Sequence, residues 1–123
     1  MVEEKEIKKD LKELKKHALA ILQYGSTVDQ TSHQKSDTDI CIIAGKKDIK
    51  ELFNQLLQNK ATQKYDIKIF EQLPLKIKAS VIENHKTLWA RDDTELTLYL
   101  HRYQRIWSDQ KQSLKKLGIE IYA

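Results

Sequence analysis

Apolar residues recur along this chain with two spacings, one typical of helices and one typical of strands. Between residues 3 and 17 they lie three or four positions apart among Lys and Glu, which predicts an amphipathic helix. The same spacing predicts three further helices, over 47–59, over 75–84, and from Asp92 or Asp93 to Gly118.

Short apolar runs between the helices predict four strands, over 19–24, 38–44, 65–70 and 86–90. The run over 38–44 has too little polar alternation for a solvated face, so we expect it at the centre of the sheet. Residues 25–36 have no periodic pattern and read as a loop, and 119–123 read as a tail or a last edge strand. This order of elements predicts an α/β or α+β fold, with a single mixed β-sheet flanked by helices in one domain over 1–123.

Composition narrows the functional classes. The chain is 40% hydrophobic and 33% charged, and no apolar stretch approaches the roughly 20 residues needed to span a bilayer. Cys41 is the only cysteine, so an internal disulfide is excluded. With no apolar signal segment at the N-terminus, we expect a cytoplasmic protein. The formal net charge of +4 suits a partner that carries phosphate, such as a nucleotide or RNA.

Acidic side chains mark the starts of two predicted core strands. Asp37 and Asp39 lead into the run over 38–44, and Asp66 begins the next strand. Three carboxylates on adjacent strands could share a hard cation such as Mg²⁺. Gly25 and Ser26 follow the first strand. Gly25 has no side chain, so its backbone can approach a phosphate closely, and Ser26 has a hydroxyl that can bind one.

The combination of Gly25-Ser26, ten intervening residues, Asp37-Thr38-Asp39 and a later Asp66 resembles the signature of the polymerase-beta-like nucleotidyltransferase superfamily. The chain looks like its minimal nucleotidyltransferases (MNT), most strongly over residues 19–71. The resemblance implies ATP as substrate and two Mg²⁺ ions. Asp37 and Asp39 would bridge the ions, and Asp66 would hold the ion that activates the acceptor.

The same resemblance implies a phosphate site and a partner. Gly25 and Ser26 would hold the β- and γ-phosphates, and Lys35 in the same loop is a candidate for added positive charge. Minimal nucleotidyltransferases are typically antitoxins paired with a HEPN-domain toxin, and some transfer AMP to a tyrosine of that toxin. The chain is therefore expected to be the transferase partner of a HEPN toxin, in a homo- or hetero-oligomer.

One departure from the family pattern leaves alternatives open. Asp29 and Gln30 stand where many members have Arg and Gly after the Gly-Ser pair, which favours a non-catalytic antitoxin that only masks its partner. A third possibility is nucleotidyl transfer to RNA or to a small molecule. Lys68 could reach a phosphate or remain solvated. Aromatic residues of the last helix could pack in the core or dock a partner: Tyr99, Tyr103 and Trp107.

Overall fold

A mixed four-stranded sheet forms the centre of the computed structural model, which describes residues 4–25 and 38–118. Its strands are β1 (Ala20–Tyr24), β2 (Thr38–Ile43), β3 (Tyr65–Ile69) and β4 (His85–Ala90). Its α-helices are α1 (Glu4–Asp10), α2 (Ile49–Gln58), α3 (Leu75–Glu83) and α4 (Asp93–Lys116). Within the described ranges, short 3₁₀ helices cover Lys12–His17, Lys60–Gln63 and Phe70–Gln72. The predicted fold class, a single mixed sheet flanked by helices, is confirmed.

The strand order is β3-β2-β1-β4. β1 is antiparallel to both β2 and β4, whereas β2 and β3 are parallel. Parallel neighbours need a crossover connection, and α2 provides it. The prediction that the apolar run starting at residue 38 is central is confirmed, because β2 lies between two strands and five of its six residues are buried.

Both faces of the sheet are covered, so the core has two halves. Alternation along β2 sends Ile40 and Ile42 to the face covered by the N-terminal helices and α2. Cys41 and Ile43 go to the other face, where they meet Phe70 and the inner side of α4. Cys41 is fully buried, and burial raises the pKa of its thiol, so it acts as the small core residue that its apolar neighbours predict.

Local sequence explains where the longer helices begin. Asp48 accepts a hydrogen bond from the Lys50 N–H at 2.9 Å, and Asp92 accepts one from the Glu95 N–H at 3.0 Å. These N-terminal caps satisfy amide groups that have no partner inside the helix. Asp92, one of the two predicted candidates, is therefore the cap of α4.

Two local predictions were wrong. The first helix does not continue to residue 17, because α1 ends at Asp10 and a 3₁₀ helix follows. Over so few turns, an apolar spacing of three or four fits either geometry. The helical pattern over 75–84 predicts that Ile77 faces inward with Val81, yet Ile77 is 40% exposed. It lies in the first turn of α3, where the inward face is instead formed by Ala79 and Val81.

The predicted loop after Gly25 and the predicted tail lie almost entirely outside the described residues, in 26–37 and 119–123. In the ranges 4–25 and 38–118, no helix has the length and apolar character needed to cross a membrane.

Candidate active site

Two aspartates lie side by side at one edge of the sheet. Asp39 on β2 and Asp66 on β3 are Cα partners in the parallel register. Adjacent strands are about 4.8 Å apart, and side chains at paired positions leave the same face. Both carboxylates therefore belong to one surface, where they can share a hard cation whose preferred ligands are oxygen atoms.

Gly25 lies against one of these carboxylates. It follows Tyr24, the Cα partner of Asp39 on β1, and has a φ of +85°. A Cβ atom added at Gly25 would lie 2.5 Å from Oδ2 of Asp39, too close for any real contact. Glycine is needed here for two reasons, since the left-handed backbone disfavours other residues and the side chain of Asp39 occupies the space.

Tyr24 continues the row of polar residues across the sheet. Burial raises the pKa of its phenol to about 12. The nearby Cys41 side chain and the negative charges of Asp39 and Asp66 add to this shift, in that order. The phenol thus stays protonated at neutral pH, beside both carboxylates of the edge. Two carboxylates beside one phenol form an arrangement that a bound cation would stabilise.

Lys68 is the basic side chain that accompanies Asp66. Its Nζ lies 3.6 Å from Oδ1 of Asp66, and the two side chains are 52% and 44% exposed. An ion pair this exposed contributes about 0–1 kcal/mol, so it does not hold the carboxylate away from a stronger cation. Of the two roles left open by the sequence, the structure therefore favours a solvated lysine that pairs with Asp66.

The opposite end of β2 is fixed by Glu71, a residue that sequence reasoning missed. The Ala44 N–H donates to Oε1 of Glu71 and the Gly45 N–H donates to Oε2, each at 3.0 Å. The Tyr99 hydroxyl donates to Oε2 at 2.6 Å. Hydrogen bonds to a charged acceptor are stronger than neutral ones, so Glu71 anchors the strand that carries Asp39. No local pattern marks this role, because its partners lie 26 to 28 residues away.

His85 extends the polar row by one more strand, since it is the Cα partner of Tyr24 on β4. Its Nδ1 lies 2.9 Å from the Val81 carbonyl oxygen and 3.1 Å from that of Ile82. A carbonyl oxygen only accepts, so Nδ1 carries the proton. No motif in the sequence marks this position, and only the register of β4 places His85 in the row.

The rings of α4 pack inward. Phe70 contacts Tyr103 edge to face, with ring centroids 5.3 Å apart, and lies 6.2 Å from Tyr99. Trp107 is only 8% exposed. The core-packing interpretation is confirmed, since Tyr99 and Tyr103 pack against the core cluster around Phe70.

With this geometry in place, comparison with known proteins gives the family. The family model described as polymerase beta, nucleotidyltransferase, matches residues 5–94. The chain belongs to this nucleotidyltransferase family. It is also 36% identical, over 96 residues, to a Methanocaldococcus jannaschii protein named as a protein adenylyltransferase. That match covers 78% of this chain and 75% of the relative.

Chains in solved toxin–antitoxin structures share the fold over nearly the whole chain. A mutant MntA–HpeT toxin–antitoxin complex contains a chain with a TM-score of 0.75 and 18% identity, covering 94% of this chain and 95% of that one. A chain in a toxin–antitoxin structure with AMP-PNP has a TM-score of 0.68 and 20% identity, and the match covers 94% of this chain and 95% of that one. A chain in the complex of an MNT antitoxin with a tri-AMPylated Shewanella oneidensis HEPN toxin has a TM-score of 0.67 and 17% identity. That match covers 93% of this chain and 91% of the other. The predicted resemblance is confirmed.

The family motif is divided between described and undescribed residues. The structure brings together Gly25, Asp39 and Asp66, which the sequence separates by up to 41 positions. The other predicted site residues, Ser26, Lys35 and Asp37, lie in 26–37, outside the described residues, as does the departure at Asp29 and Gln30. Two carboxylates on one face fit the donor set of Mg²⁺, which usually takes one or two protein carboxylates together with substrate phosphates.

Proposed function

We propose that this nucleotidyltransferase is a magnesium-dependent protein adenylyltransferase that moves AMP from ATP to a tyrosine of a HEPN-domain toxin. The observation that carries the proposal is the register of Asp39 beside Asp66, with Gly25 against Asp39. The named activity of the Methanocaldococcus jannaschii relative supports protein as the acceptor. Structures of the same fold with a HEPN toxin and with AMP-PNP support the partner and the nucleotide.

The carboxylates would hold the metal and orient the reacting groups. Asp39, together with Asp37, would hold two Mg²⁺ ions, and Asp66 would hold the one nearer the acceptor. Bound Mg²⁺ supplies positive charge that stabilises the attacking and leaving oxygens of an in-line displacement. Gly25 would let the backbone approach the β- and γ-phosphates, and Ser26 would supply a hydroxyl to bind them.

The chemical step breaks a phosphoanhydride bond of ATP and forms a phosphodiester bond to the acceptor. The acceptor oxygen forms a bond to the α-phosphorus, the bond from that phosphorus to the bridging oxygen breaks, and pyrophosphate leaves. The Asp66 carboxylate, nearest the acceptor, takes the proton of the attacking hydroxyl. We place this reaction in the cytoplasm, where ATP and a HEPN toxin would both be present.

The test uses the purified chain, its HEPN-domain partner, Mg²⁺ and ATP labelled in the α-phosphate. Wild type is expected to label a toxin tyrosine. Asp39→Asn and Asp66→Asn should each lose more than the roughly 10–100-fold that loss of an outer-shell residue costs at a metal site. Asp109→Asn is a matched control, because Asp109 is exposed on α4. Full labelling by Asp66→Asn would contradict the proposed site.

A masking antitoxin without catalysis is the second candidate, and the acidic Asp29 where the family often has a cation favours it. The same variants separate the two functions. If Asp39→Asn still neutralises the toxin completely in cells, masking is sufficient. If wild type labels RNA but no protein, the acceptor is a nucleic acid.

A further inference from the structure

A cleft of about 460 Å³ lies between β4 and α4. Its apolar part is formed by Ile82, Leu96 and Leu100, of which the two leucines are buried among core residues. Its remaining lining is polar and includes His85 and His101. Three apolar and six polar side chains, at this volume, offer a small molecule both an apolar face and hydrogen-bonding groups.

The cleft adjoins the candidate active site. His85, which lines it, is the Cα partner of Tyr24, and Tyr24 is the partner of Asp39. Two strand spacings separate His85 from Asp39, a distance of about 10 Å. A nucleoside attached to an α-phosphate at Asp39 would cross that interval with its ribose.

The direction of α4 places the polar lining in order along the cleft. Only Arg91 and Asp92 separate β4 from α4, and both elements line the cleft, so α4 runs back along β4. Asp93 therefore lies at the far end. His101 follows Asp93 by eight residues, about 12 Å of helix, which carries it toward the end that holds His85.

The charged residues that line the cleft favour binding of a neutral group over binding of a phosphate. No Lys or Arg contributes to its described lining, whereas Asp93 does. The phosphates are therefore expected at the Asp39 edge, where a cation can neutralise them. The Thr97 hydroxyl donates to the Asp93 carbonyl oxygen at 2.9 Å, which leaves its oxygen as an acceptor.

His85 adds a second acceptor. Nδ1 faces the Val81 and Ile82 carbonyl oxygens, so Nε2 is the ring nitrogen left for a ligand, and it accepts a hydrogen bond in the tautomer protonated only at Nδ1. These acceptors match the donors of a nucleoside, the ribose hydroxyls and the exocyclic amine of adenine. The apolar side of the cleft, with Leu96 and Leu100, matches the face of the base.

We propose that this cleft binds the adenosine part of ATP while the triphosphate lies at the edge that holds Asp39. The inference rests on the proposed nucleotidyl transfer for the position of the α-phosphate. It assigns nucleotide recognition to β4 and α4, outside the Gly-Ser and aspartate motif.

The test compares calorimetric affinities for ATP and for inorganic tripolyphosphate, both with Mg²⁺, in the full chain. The ratio of the two dissociation constants reports binding of the nucleoside alone. His101 and Gln104 both line the cleft, one helical turn apart on α4. In the double variant His101→Ala/Gln104→Ala, the preference for ATP should fall about tenfold, as expected for the loss of about 1.4 kcal/mol, while affinity for tripolyphosphate is unchanged. The matched control is Arg102→Ala/Arg105→Ala on the same helix, because both arginines are exposed and neither lines the cleft.

The control variant can weaken both ligands through its lost charge, but their ratio should not change. An unchanged ratio in the cleft variant, with an unchanged melting temperature, would overturn the proposal. So would a wild type that binds tripolyphosphate as tightly as ATP, or a cleft variant that loses only toxin binding. A different result would refute the proposed function alone: wild type transfers no AMP, but the cleft variant still loses its preference for ATP tenfold. The cleft would then remain the nucleoside site.

Discussion

Replacing Gly25 by alanine perturbs the candidate active site with one added methyl group. The new Cβ would lie 2.5 Å from Oδ2 and 3.3 Å from Cγ of Asp39. Either the carboxylate or the end of β1 must therefore move. The variant tests whether close approach of Gly25 to Asp39 is required for catalysis, with a much smaller change than removal of the carboxylate.

The size of the effect follows from the geometry. Ordinary van der Waals contact begins near 3.4 Å, so Oδ2 of Asp39 must retreat by about 0.9 Å from its present distance of 2.5 Å. A misplacement of about 1 Å at a reacting centre can reduce the rate about 100-fold. A left-handed backbone costs a residue with a Cβ about 1–2 kcal/mol, which predicts a melting temperature lower by roughly 4–8 °C.

Two other glycines provide matched controls. Gly118 has nearly the same backbone, with φ of +79°, and nothing lies within 4 Å of an added Cβ. Gly45, at the opposite end of β2, has φ of +64° and would place a Cβ 3.0 Å from that of Leu19. Gly45→Ala should therefore destabilise the fold about as much as Gly25→Ala, yet both controls should retain AMP transfer.

The assay is transfer of labelled AMP to the HEPN-domain partner, with thermal unfolding of each variant measured in parallel. Activity should be recorded at least 15 °C below the lowest melting temperature (about twice the expected shift), so that unfolding does not contribute. Full activity in Gly25→Ala would refute the reasoning. So would equal losses in Gly25→Ala and Gly45→Ala, because instability alone would then explain both.

Three further predictions concern binding, packing and pH. Asp39→Asn should abolish the rise in melting temperature that Mg²⁺ and ATP give wild type, because a ligand stabilises only the state that binds it. Tyr99→Phe should lower the free energy of unfolding by about 1.5–3 kcal/mol in urea titrations, through loss of the bond to charged Glu71, with AMP transfer unchanged. The Tyr65 hydroxyl donates to the Asp10 carboxylate at 2.5 Å, and this bond lowers the pKa of Asp10. The bond therefore stabilises the folded state above the pKa of Asp10 in the unfolded chain, which is about 4, and this stabilisation is lost as the pH falls below that value. The difference between wild type and Tyr65→Phe should therefore shrink in urea titrations as pH falls below about 4, and a constant difference would contradict it.

Regular elements could be predicted because each carries its own signal. The apolar run of β2 marks a central strand, and Asp92 before a helical pattern marks the start of α4. The neighbouring positions of Asp39 and Asp66 could also be anticipated, since two carboxylates begin consecutive core strands. These features depend on residues close together in sequence, where alternation and capping act directly.

Features that depend on tertiary contacts could not be predicted. Glu71 reads as a surface residue between a strand and Pro74, and only the fold brings it to Ala44. His85 carries no motif, and its place beside Tyr24 follows from the antiparallel register of β4. The order of the strands in the sheet could not be predicted from the spacing of apolar residues either. Because β1 lies between β2 and β4, the cleft at β4 adjoins the candidate active site.

The directions of the strands place the candidate active site at one edge of the sheet and the hydrogen bonds of Glu71 at the opposite edge. β1 is antiparallel to its neighbours, so its C-terminal end, with Gly25, meets the starts of β2, β3 and β4 at one edge. That edge collects the carboxylates and His85. The opposite edge holds Gly45 and the bonds from Ala44 and Gly45 to Glu71. Substitutions at the Glu71 edge should therefore change stability with little effect on transfer, whereas substitutions at the Gly25 edge should change transfer beyond their effect on stability.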